Sequence, residues 1–165
     1  MNKCLICGSK VEIINDPLFH YTDCGLSKIY LRDISILRCS DSDCGEEEIA
    51  IPNLEELHQE LARIIACQSA KLLPEEIRFL RTHLGFSGVD FSDAMGVSPE
   101  TVSRWEKGSV KMKEASERLL RVLILGQFGP FHDYEMLKSF ASRESRNAKR
   151  YILRHGKKTW AVEAA

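Results

Sequence analysis

Two cysteine pairs near the amino end place the tightest constraint on how this chain can fold. Cys4-Leu5-Ile6-Cys7-Gly8 separates its thiols by two residues, and Cys39-Ser40-Asp41-Ser42-Asp43-Cys44-Gly45 by four, each pair with glycine directly behind. Four thiolates at these spacings match a closed tetrahedral metal site, and the glycines let backbone amides approach the sulfurs. Between the pairs, Val11-Glu12-Ile13-Ile14, Ile29-Tyr30-Leu31 and Ile34-Ser35-Ile36-Leu37 read as short strands. Residues 1–50 thus read as a metal-bound ribbon too small to hold a large core unaided, with metal binding supplying much of its folding energy. One structural Zn²⁺ on Cys4, Cys7, Cys39 and Cys44 is the first choice, and iron in a rubredoxin-like S₄ site is the alternative. Two other readings of the thiols are unrelated core cysteines and a redox pair at Cys4 and Cys7. The second lacks the βαβ pattern that such a pair accompanies. Cys24 and Cys67, outside the pairs, read as packed thiols, and His20 and His58 have no ligand spacing.

The start, Met1-Asn2-Lys3-Cys4, has no apolar run, and the longest one, Val122-Leu123-Ile124-Leu125, is far too short to span a bilayer. A soluble cytoplasmic protein is expected, in a reducing compartment where cysteines read as metal ligands more readily than as disulfides. The overall charge of −1 hides a gradient. Residues 1–73 carry 7 Lys/Arg against 12 Asp/Glu, residues 74–126 carry 8 against 8, and residues 127–165 carry 8 against 4. An acidic front, neutral middle and basic tail imply different partners for different parts.

After the acidic run Glu46-Glu47-Glu48, read as a solvated edge, Asn53 is placed to cap a linker helix within residues 51–73, with Leu54, Leu57, Leu61, Ile64 and Ile65 at helical spacing. Pro74-Glu75-Glu76 opens a second helix with an inner stripe of Ile77, Leu80 and Leu84, closed by Gly85. Ser87 caps a third, carrying Phe91, Ala94 and Met95, and Gly96 ends it. Ser98 and Pro99 then start a short helix that Gly108 stops. Val102 and Trp105, three apart, anchor one face of it in a core, while Glu100, Thr101 and Arg104 stay free to touch something. Helix, glycine turn, then a helix anchored on one face is the helix-turn-helix pattern, whose second helix enters the DNA major groove. A last helix runs from about Lys113 with Leu119, Leu120, Val122 and Leu123. Residues 74–125 form one all-α domain on this reading, and the fold class is α+β: a zinc ribbon plus a lambda-repressor-like helical domain.

Ser-x-x-x-Phe-x-x-x-Met-Gly-Val-Ser-x-x-Thr-Val-Ser-Arg-Trp-Glu-x-Gly, over Ser87 to Gly108, resembles the Xre/Cro-type helix-turn-helix. The cysteine pairs resemble a YgiT-type zinc finger. The two in this order are similar to the MqsA/YgiT family over residues 1–125. That resemblance implies an antitoxin that grips a toxin through its zinc domain and operator DNA through its helix-turn-helix. It also implies that Arg104 reads a base; its guanidinium fork fits the O6/N7 edge of guanine. Glu100 stands where the family pattern has Asn; it can accept from cytosine N4 or hold Arg104. Thr101, Ser103 and Ser98 lie within reach of phosphates or a thymine methyl, and Lys107 and Lys111 of phosphates. Ser87, with the amides behind it, can hold a further phosphate. Gly88 replaces a Gln that many relatives use on the backbone. Glu106 is expected to pair with Arg81, with Arg78 a solvated neighbour.

Residues 126–165 read as a basic extension. Tyr134, Leu137 and Phe140 suggest one more helix, and Arg143 to Tyr151 and Arg154 to Trp160 either follow the DNA backbone or form a solvated, partly disordered end. The expected function is a DNA-binding transcriptional regulator acting as a homodimer on double-stranded operator DNA, and an antitoxin whose residues 1–73 bind a cognate toxin. The alternatives are a stand-alone zinc-ribbon repressor and a protein-interaction adaptor. No nucleophile–base pair, phosphate-cradling loop or open metal position points to an enzyme.

Overall fold

The computed structural model describes residues 3–130, 133–140 and 148–164. The fold is mixed α+β, and the chain divides into two compact units. One comprises Met1–Tyr21, Lys28–Glu56 and Arg150–Ala165, and is built on a sheet; the other comprises Thr22–Ser27 and Leu57–Lys149, and is helical.

In the sheet unit, β1 (Val11–His20) pairs antiparallel with β2 (Ile29–Cys39). The second half of β2 also pairs antiparallel with β3 (Glu47–Ala50), so the acidic run is an exposed edge strand, with Arg38 on Glu47. The two short strands read at Ile29–Leu31 and Ile34–Leu37 are one strand with a defect between them. Asp33 sits at φ +54° and the ladder skips from Leu18↔Arg32 to Asp16↔Ile34, opposite Pro17, which has no N–H to give. The first half of β2 takes a different neighbour on the same edge: β4 (Tyr151–His155), parallel, which in turn pairs antiparallel with β5 (Trp160–Ala164).

The carboxyl-terminal segment therefore differs from its sequence reading. Tyr151, Leu153 and Trp160 are core residues packed in the same unit as Leu31 and Ile29, and the Trp160 indole donates to the Pro52 carbonyl at 2.9 Å. Arg154 is spent on Asp33 and Glu163. Arg150 lies over the Tyr30 ring, 4.4 Å from its centroid, and His20 stacks on the same ring. Arg143 to Asn147 of the expected basic segment lie outside the described residues.

The helical unit contains α1 (Leu54–Cys67, entering at Leu57), α2 (Pro74–His83), α3 (Gly88–Met95), α4 (Pro99–Glu106), α5 (Glu114–Gly126) and α6 (Tyr134–Ser139). Its core holds Leu57, Leu61, Ile65, Ile77, Leu80, Phe91, Val102, Trp105, Leu120 and Ile124. The helix read as a linker thus packs within this unit, and Asn53 stands before it at φ +47° with its amide nitrogen directed to the Lys158 carbonyl. Ala94 is exposed and Ser92 takes its inward place, its hydroxyl donating to the Val89 carbonyl at 2.7 Å.

The inward stripe of α5 also departs from expectation. Leu119 is 42% exposed, while Glu117 and Arg121 are buried as an ion pair at 2.6 Å. Arg121 donates to the carbonyls of Ile65 (3.4 Å), Ala66 (3.0 Å), Gln68 and Ala70 (2.6 Å), and its guanidinium carbon lies 5.2 Å from the centroid of the Phe140 ring. These are the carbonyls at and just past the end of α1, where the helix runs out of backbone donors, although the Gln68 amide also reaches the Ile65 carbonyl at 3.4 Å. The last turn of α1 carries no basic residue, so α5 supplies the cation that a helix carboxyl end favours. Nearby, Glu76 accepts from the Leu73 amide and from Gln68, and burial pushes its carboxyl above the ordinary range.

Gly108 ends α4's turn at φ +73°, and a Cβ there would stand 3.0 Å from Pro74 Cγ. Gly108→Ala is expected to cost about 1–3 kcal/mol, from left-handed strain and this contact together. A urea unfolding midpoint lowered with unchanged slope would show it; an unchanged midpoint would refute it.

Candidate nucleic-acid interface and metal centre

The helix-turn-helix is set by its caps. The Ser87 hydroxyl accepts from the Asp90 amide at 3.1 Å and donates to the Asp90 carboxylate at 2.6 Å. Gly96, at φ +64°, closes α3, and the Val97 amide donates to the Ser92 carbonyl at 3.0 Å. Ser98 then caps α4, accepting from the Thr101 amide at 3.3 Å, with the two side-chain oxygens 3.2 Å apart. Three residues of turn between two capped helices leave α4 a fixed direction.

Val102 and Trp105 are buried, as expected, and this fixes what α4 shows to solvent. Glu100, Arg104, Lys107 and Lys111 are exposed, and Thr101 and Ser103 are half-buried. Glu106 braces the back of the helix. Arg81 donates to its two carboxylate oxygens at 2.6 and 3.4 Å and also reaches the Phe86 carbonyl at 2.7 Å. Arg78 donates to the same carboxylate at 3.3 Å and to the Glu106 carbonyl at 3.4 Å while its side chain stays 57% exposed, so the solvated neighbour is also a second, outer brace. The Glu100 carboxyl is held below its ordinary range by its own backbone N–H and the Ser98 hydroxyl, with the Arg104 charge adding.

Asp90 is the residue here that sequence reasoning passed over. Ser87-x-x-Asp90 is a capping-box spacing, and it commits the Ser87 hydroxyl to its own helix and sets a carboxylate beside the amides proposed for a phosphate.

The four paired cysteines come together in the sheet unit. Cys4, Cys7, Cys39 and Cys44 place their sulfurs within 4.8 Å of one another, and among the described residues no other group of three or more such side chains gathers this way. Sγ–Sγ distances are 3.8 Å for Cys4–Cys44 and 3.4 Å for Cys7–Cys39. A tetrahedron with metal–sulfur bonds of about 2.3 Å has edges of about 3.8 Å, so the donor set fits one tetrahedral ion. Backbone bends supply the positions: Gly8 and Gly45 stand at φ +77° and +61°, and the Asp41 amide points at Cys39 Sγ from 3.5 Å. The Ser9 hydroxyl and amide hold the Cys7 thiol down, at about 6. At Cys39 the Asp41 amide acts in the same direction, but desolvation and the other three sulfurs prevail and push the thiol up to about 12. Thiols this close hinder one another's ionisation, and a cation removes the conflict. Cys24 and Cys67 stand apart from the group, half-buried, with burial raising both thiols.

Among the described residues, no helix is long and apolar enough to cross a membrane. No curated protein and no solved structure matches the chain. The helix-turn-helix family matches residues 77–123, from within α2 to within α5. That segment is an Xre/Cro-type helix-turn-helix domain, a DNA-binding domain of the kind that transcriptional regulators carry.

Proposed function

We propose that the protein is a zinc-bearing, sequence-specific transcriptional regulator that binds double-stranded operator DNA as a homodimer, and that it is the antitoxin and autorepressor of a toxin–antitoxin pair. The observation that carries the DNA reading is α4: its apolar side is locked in the core while Arg104 projects from the exposed side. Arg104 reads guanine, Glu100 and Thr101 touch neighbouring bases, and Ser103, Lys107 and Lys111 contact phosphates. Ser98 and Ser87 orient backbone amides toward the DNA backbone, since their hydroxyls serve as caps. A dimer reads two half-sites about one helical turn apart.

Zinc fits the four sulfurs better than a redox role, because all four are drawn into one group. The toxin reading is supported by the acidic front and by three aliphatic side chains of the sheet unit left in solvent: Leu5 at 93%, Ile6 at 72% and Ile13 at 67% exposure. Exposed apolar groups of this size suit a protein partner. The protein works in the cytoplasm, on the nucleoid.

Arg104→Ala is expected to weaken binding to the protein's own upstream region by about 1–3 kcal/mol, or roughly 5- to 150-fold, and to relax preference at one base position. Gel-shift titration at fixed salt measures it, with circular dichroism to verify the fold. Equal affinity in wild type and variant would remove Arg104 from the readout. For the toxin, co-expression with the adjacent gene decides: a product toxic alone and captured by this chain supports the antitoxin reading, and a harmless, unbound product refutes it.

A further inference from the structure

The helical unit contains a cavity that neither the DNA-facing residues nor the cysteines account for. It lies between the start of α2, the end of α4 and the loop leading to α5, and has a volume of about 150 Å³. Leu72, Ile77, Trp105 and Met112 supply buried apolar walls, and the 45%-exposed Val110 marks the open side. An apolar cavity of about this volume accommodates a benzene ring.

The polar groups around it are already engaged. Lys71, Lys111 and Glu117 are its ionisable lining residues. Both lysines have partners within the protein. Glu117 Oε1 accepts from Arg121 Nη2 at 2.6 Å and from the Leu72 amide at 3.0 Å, so its charge is answered within the core. The Gly108 amide is spent on the Trp105 carbonyl at 3.1 Å. An ion entering this slot gives up its hydration and must break an existing pair to recover it. A neutral ring gives up little and gains the contact of the walls.

We propose that this cavity binds a small neutral monocyclic aromatic molecule. The ring lies against Ile77, Trp105 and Met112, where aromatic and sulfur–aromatic contacts add to the burial of apolar surface. It touches the start of α2, the end of α4 and the loop before α5 together, and so fastens the loop that carries Lys111 to the core. Charged analogues of the same ring, of either sign, are turned away by the cost of their dehydration. The site does not depend on the reading of the protein as a regulator or an antitoxin.

Benzene is the probe, titrated into the full-length protein and followed by ¹H–¹⁵N NMR. The Trp105 indole N–H and the Gly108 amide are expected to shift saturably, with a dissociation constant of about 1 mM or tighter. The Trp160 indole, in the sheet unit, is expected to stay still. Magnetisation transfer from the benzene protons is expected at the methyl groups of Ile77 and Met112, which places the ring. Benzoate and benzylamine are each expected to bind at least about tenfold more weakly than benzene. Val110→Phe, which fills the cavity from its partly exposed side, is expected to abolish the benzene shifts. Four results would overturn the proposal: no saturation at Trp105 by about 10 mM benzene, no transfer to the Ile77 and Met112 methyl groups, either charged analogue binding as tightly as benzene, or a folded Val110→Phe that binds benzene as wild type does. The first three are read on the wild-type protein and keep the test decisive if Val110→Phe does not fold.

Discussion

Cys39→Ser is expected to abolish metal binding by the cysteine group and to unfold the sheet unit, while the helical unit keeps its structure. Cys39 is the last residue of β2, the strand that pairs with β1, β3 and β4. Its sulfur is also one of four that draw residues 4–7 and 39–44 together. Serine keeps the shape and removes the thiolate, so the remaining three ligands must close the site with water. A unit this small leans on such a site more than on its core, and a structural metal contributes to folding outright. The helical unit has its own core and no cysteine in the group. Metal analysis should give about one zinc per wild-type chain and far less in the variant. Circular dichroism at 222 nm should change little while NMR dispersion of β1 and β2 amides collapses, and a chelator should reproduce the effect on wild type. Uniform loss of helix and strand signals would refute the independence of the two units.

Arg121→Ala is expected to destabilise the helical unit by about 3–5 kcal/mol, the usual cost of removing one partner of a buried ion pair. Arg121 and Glu117 are 0% and 1% exposed, so solvent cannot replace what is lost. The substitution leaves the Glu117 carboxylate buried with only the Leu72 amide, uncovers the carbonyls at the end of α1, and opens a void under Phe140. For a unit of this size the thermal midpoint should fall by more than about 10 °C. The double variant Glu117→Gln with Arg121→Met should recover part of this, because it removes both charges together while retaining bulk. Thermal unfolding followed at 222 nm distinguishes the cases. A shift of only a degree or two for Arg121→Ala would show that the end of α1 is held by its apolar contacts alone.

The parts of this fold that were legible in the sequence are those fixed by discrete local rules. Ligand spacing and trailing glycines identified the cysteine group, and Ser87, Gly96, Ser98 and Pro99 marked the helix ends within a residue or so. Val102 and Trp105 declared the buried side of α4 by their spacing alone. The parts that were not legible depend on partners far away in the chain. Tyr151-Ile152-Leu153 alternates as a strand should, but its neighbour is Ile29–Leu31 and its surroundings are cationic, so composition masked the pattern. Arg121 is charged, and charged residues are seldom buried unless paired. Nothing local announces that four carbonyls and a carboxylate from 4 to 56 residues away wait for it. Arg78 was a similar case, because its carboxylate partner lies 28 residues on.

The parallel pairing of β4 with β2 bears on how the chain is made. Strands that belong to one sheet are separated in sequence by residues 57–149 of the helical unit. During vectorial synthesis the ribosome delivers β1, β2 and β3 first, then the helices α1 to α6, and only afterwards β4 and β5. The usual order, in which amino-terminal structure is finished first, is inverted. The helical unit matures while half of one β2 edge is still open to the wrong strand. A metal ion captured by the four cysteines needs only residues up to 44, and would hold the nascent sheet in register during that interval.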